Sequence, residues 1–233
     1  MSFSGPKLVT MFGLAALGTI LVGLSWPVFW SSLAAHPSES IHRKITQRAE
    51  LRQDEIDYYY TSRSEAARRW ATSKHFADVS IAAFFKAEQS VSANTRYLEQ
   101  GMDNTQQALR MRPADPVGWV RFAQFSLALG LSKDTAASFL NLAFLTGAHR
   151  PRLRAAAAIL GYGIWDELSA GDRRHVMYAS GVAWRERKAH RDPLLRAAWK
   201  AGSLEVLELA LAGDPVSRKK MLSMELKLTG VER

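Results

Sequence analysis

The side chains that could carry chemistry in this chain are scattered, and their spacing decides what they can do. Six histidines (His36, His42, His75, His149, His175 and His190) share no ligand spacing, and cysteine is absent. Without thiolates or an HExxH pair, a zinc site would need His and carboxylate ligands from distant segments, so no metal is expected. No GxxxxGK or GxGxxG loop is present to cradle a phosphate or dinucleotide, and Gly161-Tyr162-Gly163 reads as a helix end. No GxSxG elbow exposes a serine nucleophile. We therefore expect neither catalytic residues nor a cofactor. Asp166, Glu167 and Glu186 are the one set that could flank a sugar bond as acid and base. Their neighbours Arg173, Arg174, Arg185 and Arg187 favour ion pairing over that role.

Two kinds of side chain remain as binding candidates. Arg150, Arg152 and Arg154 lie at even spacing around a proline joint and form the best small anion site, with Arg173 and Arg174 as further cations. Five tryptophans after the first apolar segment (Trp70, Trp119, Trp165, Trp184 and Trp199) could stack on the C–H face of a sugar ring. Helical spacing places Trp119 and Trp165 in a core more firmly than Trp184 and Trp199, and the latter two stay candidates for a partner surface.

The elements that must position these groups are helices. Leu8 to Trp30 runs for 23 residues without a charge. At about 1.5 Å per residue, roughly 20 apolar residues cross a bilayer core of about 30 Å. The segment ends in Trp26, Phe29 and Trp30, side chains that prefer the headgroup level, and Pro27 lies near enough to its end to bend the exit. Ser32 and Ala34 would also satisfy a signal-peptidase rule, but a signal core is only about 7–15 residues long, which favours a retained anchor. Lys7 flanks one side, whereas Ser31 to His42 carries no Lys or Arg before Arg43, Lys44 and Arg48. That asymmetry favours a cytoplasmic N-terminus and a periplasmic body at a bacterial inner membrane. The lack of cysteine is compatible with either compartment.

Beyond the anchor, no alternating β-branched run appears, and the prolines avoid helix interiors, with Pro113, Pro116, Pro151, Pro193 and Pro215 at joints. Ser38 to Trp70 reads as one long polar helix, a stalk or a strut leaning on the repeat helices, with no clean heptad for a coiled coil. From Ala108 onward, Ala108-Leu109, Pro113, Asp115-Pro116, Trp119, Phe122-Ala123 and Gly130 resemble the tetratricopeptide repeat consensus. Ala136, Leu140 and Ala143 then fall on the second helix, and His149 to Pro151 close the unit. Both helices of this hairpin are apolar around most of their circumference, which requires neighbours on either side. Ser169 is placed to cap a later helix, and Gly202-Ser203 to break one. The expected fold is all-α: a tail (1–7), a transmembrane helix (8–30), a juxtamembrane helical stalk (31–72) and a short right-handed superhelix of repeats (73–233).

A net charge of +9 favours an anionic neighbour such as lipid headgroups or an acidic polymer, or else simply keeps the surface solvated. The cations are spread, with no run longer than three, so a nucleic-acid partner is not expected. The order from Ala108 to Pro215 is a Trp-led hairpin, then RPRLR, then IWDELSAGDRR, then a helix containing Ala183-Trp184. Through Trp165-Asp166, Leu168-Ser169, Asp172-Arg173-Arg174 and Ala183-Trp184, it resembles the small membrane-anchored, tetratricopeptide-like proteins encoded with bacterial capsular and exopolysaccharide biosynthesis machinery. The resemblance implies an accessory factor with protein partners in an envelope complex, and it carries over no catalytic residue. An adaptor for pilus, secretion or envelope assembly shares that architecture, and a sugar-processing enzyme built on the acidic residues is the other alternative. The topology is open to a direct test. A C-terminal reporter active only outside the cytoplasm should be on, and activity only from a cytoplasm-specific reporter would reverse the orientation.

Overall fold

The structure, a computed structural model, describes residues 5–47, 49–90, 93–147 and 150–229, and every regular element among them is helical. Arg48 and His149 lie outside the described residues, as do the side chains of Lys7 and Arg152. The chain divides into two compact units, Met1–Met111 and Arg112–Arg233.

The first unit begins with α1 (Gly5–Ala35), which is long and apolar enough to cross a bilayer. Leu14, Leu17, Ile20, Leu21 and Leu24 are all more than half exposed. Pro27 lies inside this helix, contrary to the expectation that prolines avoid interiors, and the helix runs on to Ala35. The polar segment read as one helix is two, α2 (Glu39–Gln47) and α3 (Gln53–Arg69). Next come α4 (Ser73–Gln89), capped by Thr72 Oγ1 accepting from the His75 N–H, and α5 (Asn94–Met111). Helix α3, from the segment read as a stalk, packs on both α1 and α4, and α4 on α5, within the unit that runs to Met111.

Small and polar residues build the interior of this bundle. Ser31 Oγ of α1 donates to the Ala66 carbonyl of α3 at 2.9 Å, and Ser62 Oγ of α3 donates to the Ala34 carbonyl at 2.5 Å. Ala66, Ala82 and Ala83 are completely buried, and the buried Ser80 hydroxyl meets Thr105 Oγ1 at 2.6 Å between α4 and α5. Short side chains let the backbones approach, and the Ser31, Ser62, Ser80 and Thr105 hydroxyls all find acceptors. Among them lies Arg63, 1% exposed. Its Nη1 donates to Asp78 Oδ2 and its Nη2 to Glu39 Oε2, each at 2.9 Å, and the guanidinium sits 5.1 Å from the Tyr59 ring centroid. The Arg63 hydrogen bond holds the Glu39 carboxyl below its ordinary value. Tyr59 meets His42 Nδ1 at 2.7 Å, and His75 Nδ1 donates to the Trp70 carbonyl at 2.7 Å.

In the second unit the packing is apolar. Its helices are α6 (Pro116–Ala128), α7 (Lys133–Gly147), α8 (Pro151–Gly163), α9 (Ala170–Glu186), α10 (Arg191–Lys200), α11 (Leu204–Ala210) and α12 (Pro215–Thr229). Pro116, Pro151 and Pro215 occupy first positions, where the missing N–H costs nothing. Asp115 caps α6 by accepting from the Val117 N–H at 3.2 Å, and Ser169 caps α9 as expected. Helices α6 and α7 pair closely, with Ala123, Ala136 and Leu140 completely buried and Ala143 nearly so. Trp119, Phe122 and Phe139 cluster beside them, Phe122 and Phe139 meeting edge-on at 4.6 Å between centroids. Helices α8 and α9 form the next pair. Gly181 of α9 lies under α11 so closely that an added Cβ would stand 2.6 Å from the Ala210 carbonyl oxygen.

Removing Asp78 would leave the buried Arg63 with Glu39 as its one remaining carboxylate and Nη1 without its acceptor in a poorly hydrated site. Asp78→Ala should therefore destabilise the first unit by about 3 kcal/mol in urea titrations of the micelle-bound protein. Arg63→Met combined with Asp78→Leu should recover most of that loss. A neutral single variant would contradict the assignment.

Candidate functional site

One concave site in the second unit combines an apolar floor with converging charges. It is a cleft of about 760 Å³ between the end of α8, the 3-10 turn Trp165–Glu167, and the α10–α11 turn. Ile159, Tyr162, Trp165 and Val206 line its floor, and Lys133, Asp166, Lys200 and Glu205 stand around it. Gly202 permits the tight α10–α11 turn by taking φ +66°, a conformation that Cβ-bearing residues avoid. That turn presents Ala201, Ser203 and the start of α11 to the cleft.

The floor is held from behind. The Tyr162 hydroxyl points into the core and donates to Ser180 Oγ at 2.8 Å, while Ser180 donates to the Val176 carbonyl. Burial pushes the Tyr162 phenol above its ordinary value, so it stays a neutral donor. Trp165 is pinned by Arg173, whose guanidinium lies 5.5 Å from the ring centroid. Arg173 also donates to the carbonyls of Trp165 and Asp166 at 3.1 and 3.0 Å. Asp172 is buried; it accepts from both Ser169 and Asn141, tying the start of α9 to α7. The segment from Trp165 to Arg173 is thus one self-bracing corner, and its wall against the cleft is Trp165-Asp166.

Of the seven expected binding residues, the six whose side chains are described, Arg150, Arg154, Arg173, Arg174, Trp184 and Trp199, do not line this cleft. Trp184 is withdrawn from any partner surface because it is completely buried, with the Arg191 guanidinium 5.8 Å from its ring centroid and Arg191 Nε donating to its carbonyl. Trp199 is 46% exposed and remains on the surface. The three-arginine cluster is split: Arg150 is exposed at the start of α8, and Arg154 is turned onto α9, where it pairs with Glu186. Arg174 is exposed, and Arg173 is engaged with Trp165 and the Asp166 carbonyl. Of the three acidic candidates, Asp166 faces the cleft while Glu186 is held in its ion pair. Lys133, Lys200 and Glu205 were missed as site residues; the nearest signals were the Gly202-Ser203 break and the Lys133-Asp134 interruption. Among the described residues no three His, Asp or Glu side chains gather as a metal site.

A cleft lined by charges of both signs together with apolar side chains suits a mixed-charge segment such as a peptide or helix end better than a purely anionic ligand. Comparison of the chain with family models, curated proteins and solved structures returns no match.

Arg173→Ala removes two charge-assisted hydrogen bonds and the stacking on Trp165. It should cost about 1–2 kcal/mol in thermal unfolding followed by circular dichroism, whereas Arg150→Ala should leave stability unchanged. Equal effects would contradict the bracing role.

Proposed function

We propose that the chain is a single-pass membrane-anchored adaptor, in which α1 spans a bacterial inner membrane and the helical body lies on the periplasmic side. Its work is docking rather than turnover. The observation that carries this reading is the continuity of α1. One helix passes from an exposed apolar stretch into the buried seam with α3, so the body is held at a lipid surface. Tethering of this kind raises the effective concentration of whatever the body gathers. The paired helices and the buried Ala123, Ala136, Leu140 and Ala143 support a tetratricopeptide-like organisation of the second unit, with the mixed-charge cleft as its partner groove. The resemblance carried by the Trp165 to Arg174 segment suggests an envelope polysaccharide biosynthesis or export complex as the setting. The pairing of Glu186 with Arg154 weighs against an acid and base pair across the cleft.

A photo-crosslinker placed at Ala201, which is exposed at the cleft edge, should capture a membrane-complex protein in intact cells. The charge reversal Glu205→Lys should lower that capture about tenfold, as expected for one misplaced rim charge. Capture that is absent, or indifferent to both Glu205→Lys and Lys200→Glu, would overturn the cleft as a docking groove.

A further inference from the structure

The register of α1 against α3 fixes which part of the first unit lies nearest the apolar stretch. Ala34 pairs with Ser62, Ser31 with Ala66, and Trp30 with Arg69, whose guanidinium is 5.6 Å from the Trp30 ring centroid. As numbers fall along α1 they rise along α3, so the two helices are antiparallel and α3 points its C-terminal end toward the membrane. The turn after α3, from Arg68 to Lys74, stands level with Trp30. Trp26 lies one helical turn further, about 6 Å along the axis. Trp26, Phe29 and Trp30 form a mutual aromatic cluster with centroids 5.6 to 6.5 Å apart, the type of belt that settles among headgroups.

The side chains of that corner suit the same layer. Trp70 is 39% exposed, and the Arg68 and Lys74 side chains are 75% and 65% exposed. Residues 65–74 carry three cations, Arg68, Arg69 and Lys74, against one anion, Glu65. Arg68 and Arg69 hydrogen-bond Glu65 and hold its carboxyl at about 2, so it stays ionised and orients both guanidinium groups. Lys74 bonds to Asp78, and with Arg63 included the linked groups are four cations, Arg63, Arg68, Arg69 and Lys74, against three anions, Glu39, Glu65 and Asp78. The corner therefore has a positive surplus, an amphipathic indole and spare N–H donors at the depth where phosphates lie.

We propose that the α3–α4 corner is a headgroup-binding surface. Arg68, Arg69 and Lys74 engage phospholipid phosphates, and Trp70 enters the interface beside Trp26 and Trp30, fixing the orientation of the first unit on the membrane. This rests on reading α1 as a membrane span. The occupant is the lipid that surrounds that span.

The chain contains no cysteine, so single nitroxide labels can be placed on the full-length protein at Leu21→Cys, Gln53→Cys and Ala71→Cys. All three positions are exposed, and Gln53 begins α3 at the end away from the corner. In vesicles of phosphatidylethanolamine and phosphatidylglycerol, collision with oxygen and with a water-soluble nickel chelate reports the depth of each label. Residue 21 should be deep, residue 53 aqueous and residue 71 at headgroup depth. Replacing Arg68, Arg69 and Lys74 together with Gln should raise nickel access at residue 71 to the value at residue 53. If residue 71 is already as aqueous as residue 53 while residue 21 stays deep, the corner proposal fails and the span stands. If residue 21 is aqueous, the span reading fails and takes the proposal with it. Unchanged depth at residue 71 in the triple variant would overturn the role given to the cations.

Discussion

The first unit depends on the rule that polar groups taken out of water must find partners. Ser31 and Ser62 spend their hydroxyl protons on carbonyls across the α1–α3 seam, and this reciprocal pair lets two backbones close on each other with both hydroxyls satisfied. Arg63 is the demanding case. A guanidinium 1% exposed is tolerable only because Asp78, Glu39 and the Tyr59 ring face it from three sides. That arrangement is directional where an oily core is not, and it ties α3 to α2 and α4, while the serine pair sets α3 against α1. The consequence is mechanical, because the apolar helix is rooted in the bundle.

The second unit follows a different logic. Trp184, Leu194, Leu195, Leu207, Leu211 and Met221 make a continuous apolar core, in which stability comes from area removed from water. Directional bonds include the buried Tyr162–Ser180 pair and those at the margins, where Arg173 braces Trp165 and where Asn141 and Ser169 converge on Asp172. These margins shape the cleft. A soft, non-directional core with a braced rim suits a docking module, whose surface must keep its form while the interior tolerates repacking.

Much of this second architecture was legible because apolar periodicity and proline punctuation are local signals. Pro116, Pro151 and Pro215 mark helix starts, Ser169 is a cap, and Ala123, Ala136, Leu140 and Ala143 are buried on the helices read from their apolar spacing. The first unit was harder to read. Its buried face on α3 runs through Ile56, Tyr59, Ser62, Arg63, Ala66 and Ala67, a proper helical stripe written largely in small and polar residues. A hydrophobicity pattern sees a stalk there, because the partners that make Arg63 and Ser62 buriable lie 15 and 28 residues away in sequence. The surroundings of the candidate binding residues were hidden for a related reason. Arg154 and Arg173 looked like free cations, but acceptors that only the fold brings near had already claimed them. Trp184 went to the core for want of any local sign of exposure. The cleft residues Lys133, Lys200 and Glu205 come from three separate segments and share no motif.

The central claim is that the apolar helix and the bundle beneath it form one rigid body, rather than a domain on a loose tether. Pulsed electron-electron distance measurement between labels at Leu24 on α1 and Tyr58 on α3, both exposed, tests this in a lipid bilayer. A single narrow distance is the result the seam requires. A broad distribution, of the kind a flexible linker gives, would contradict it.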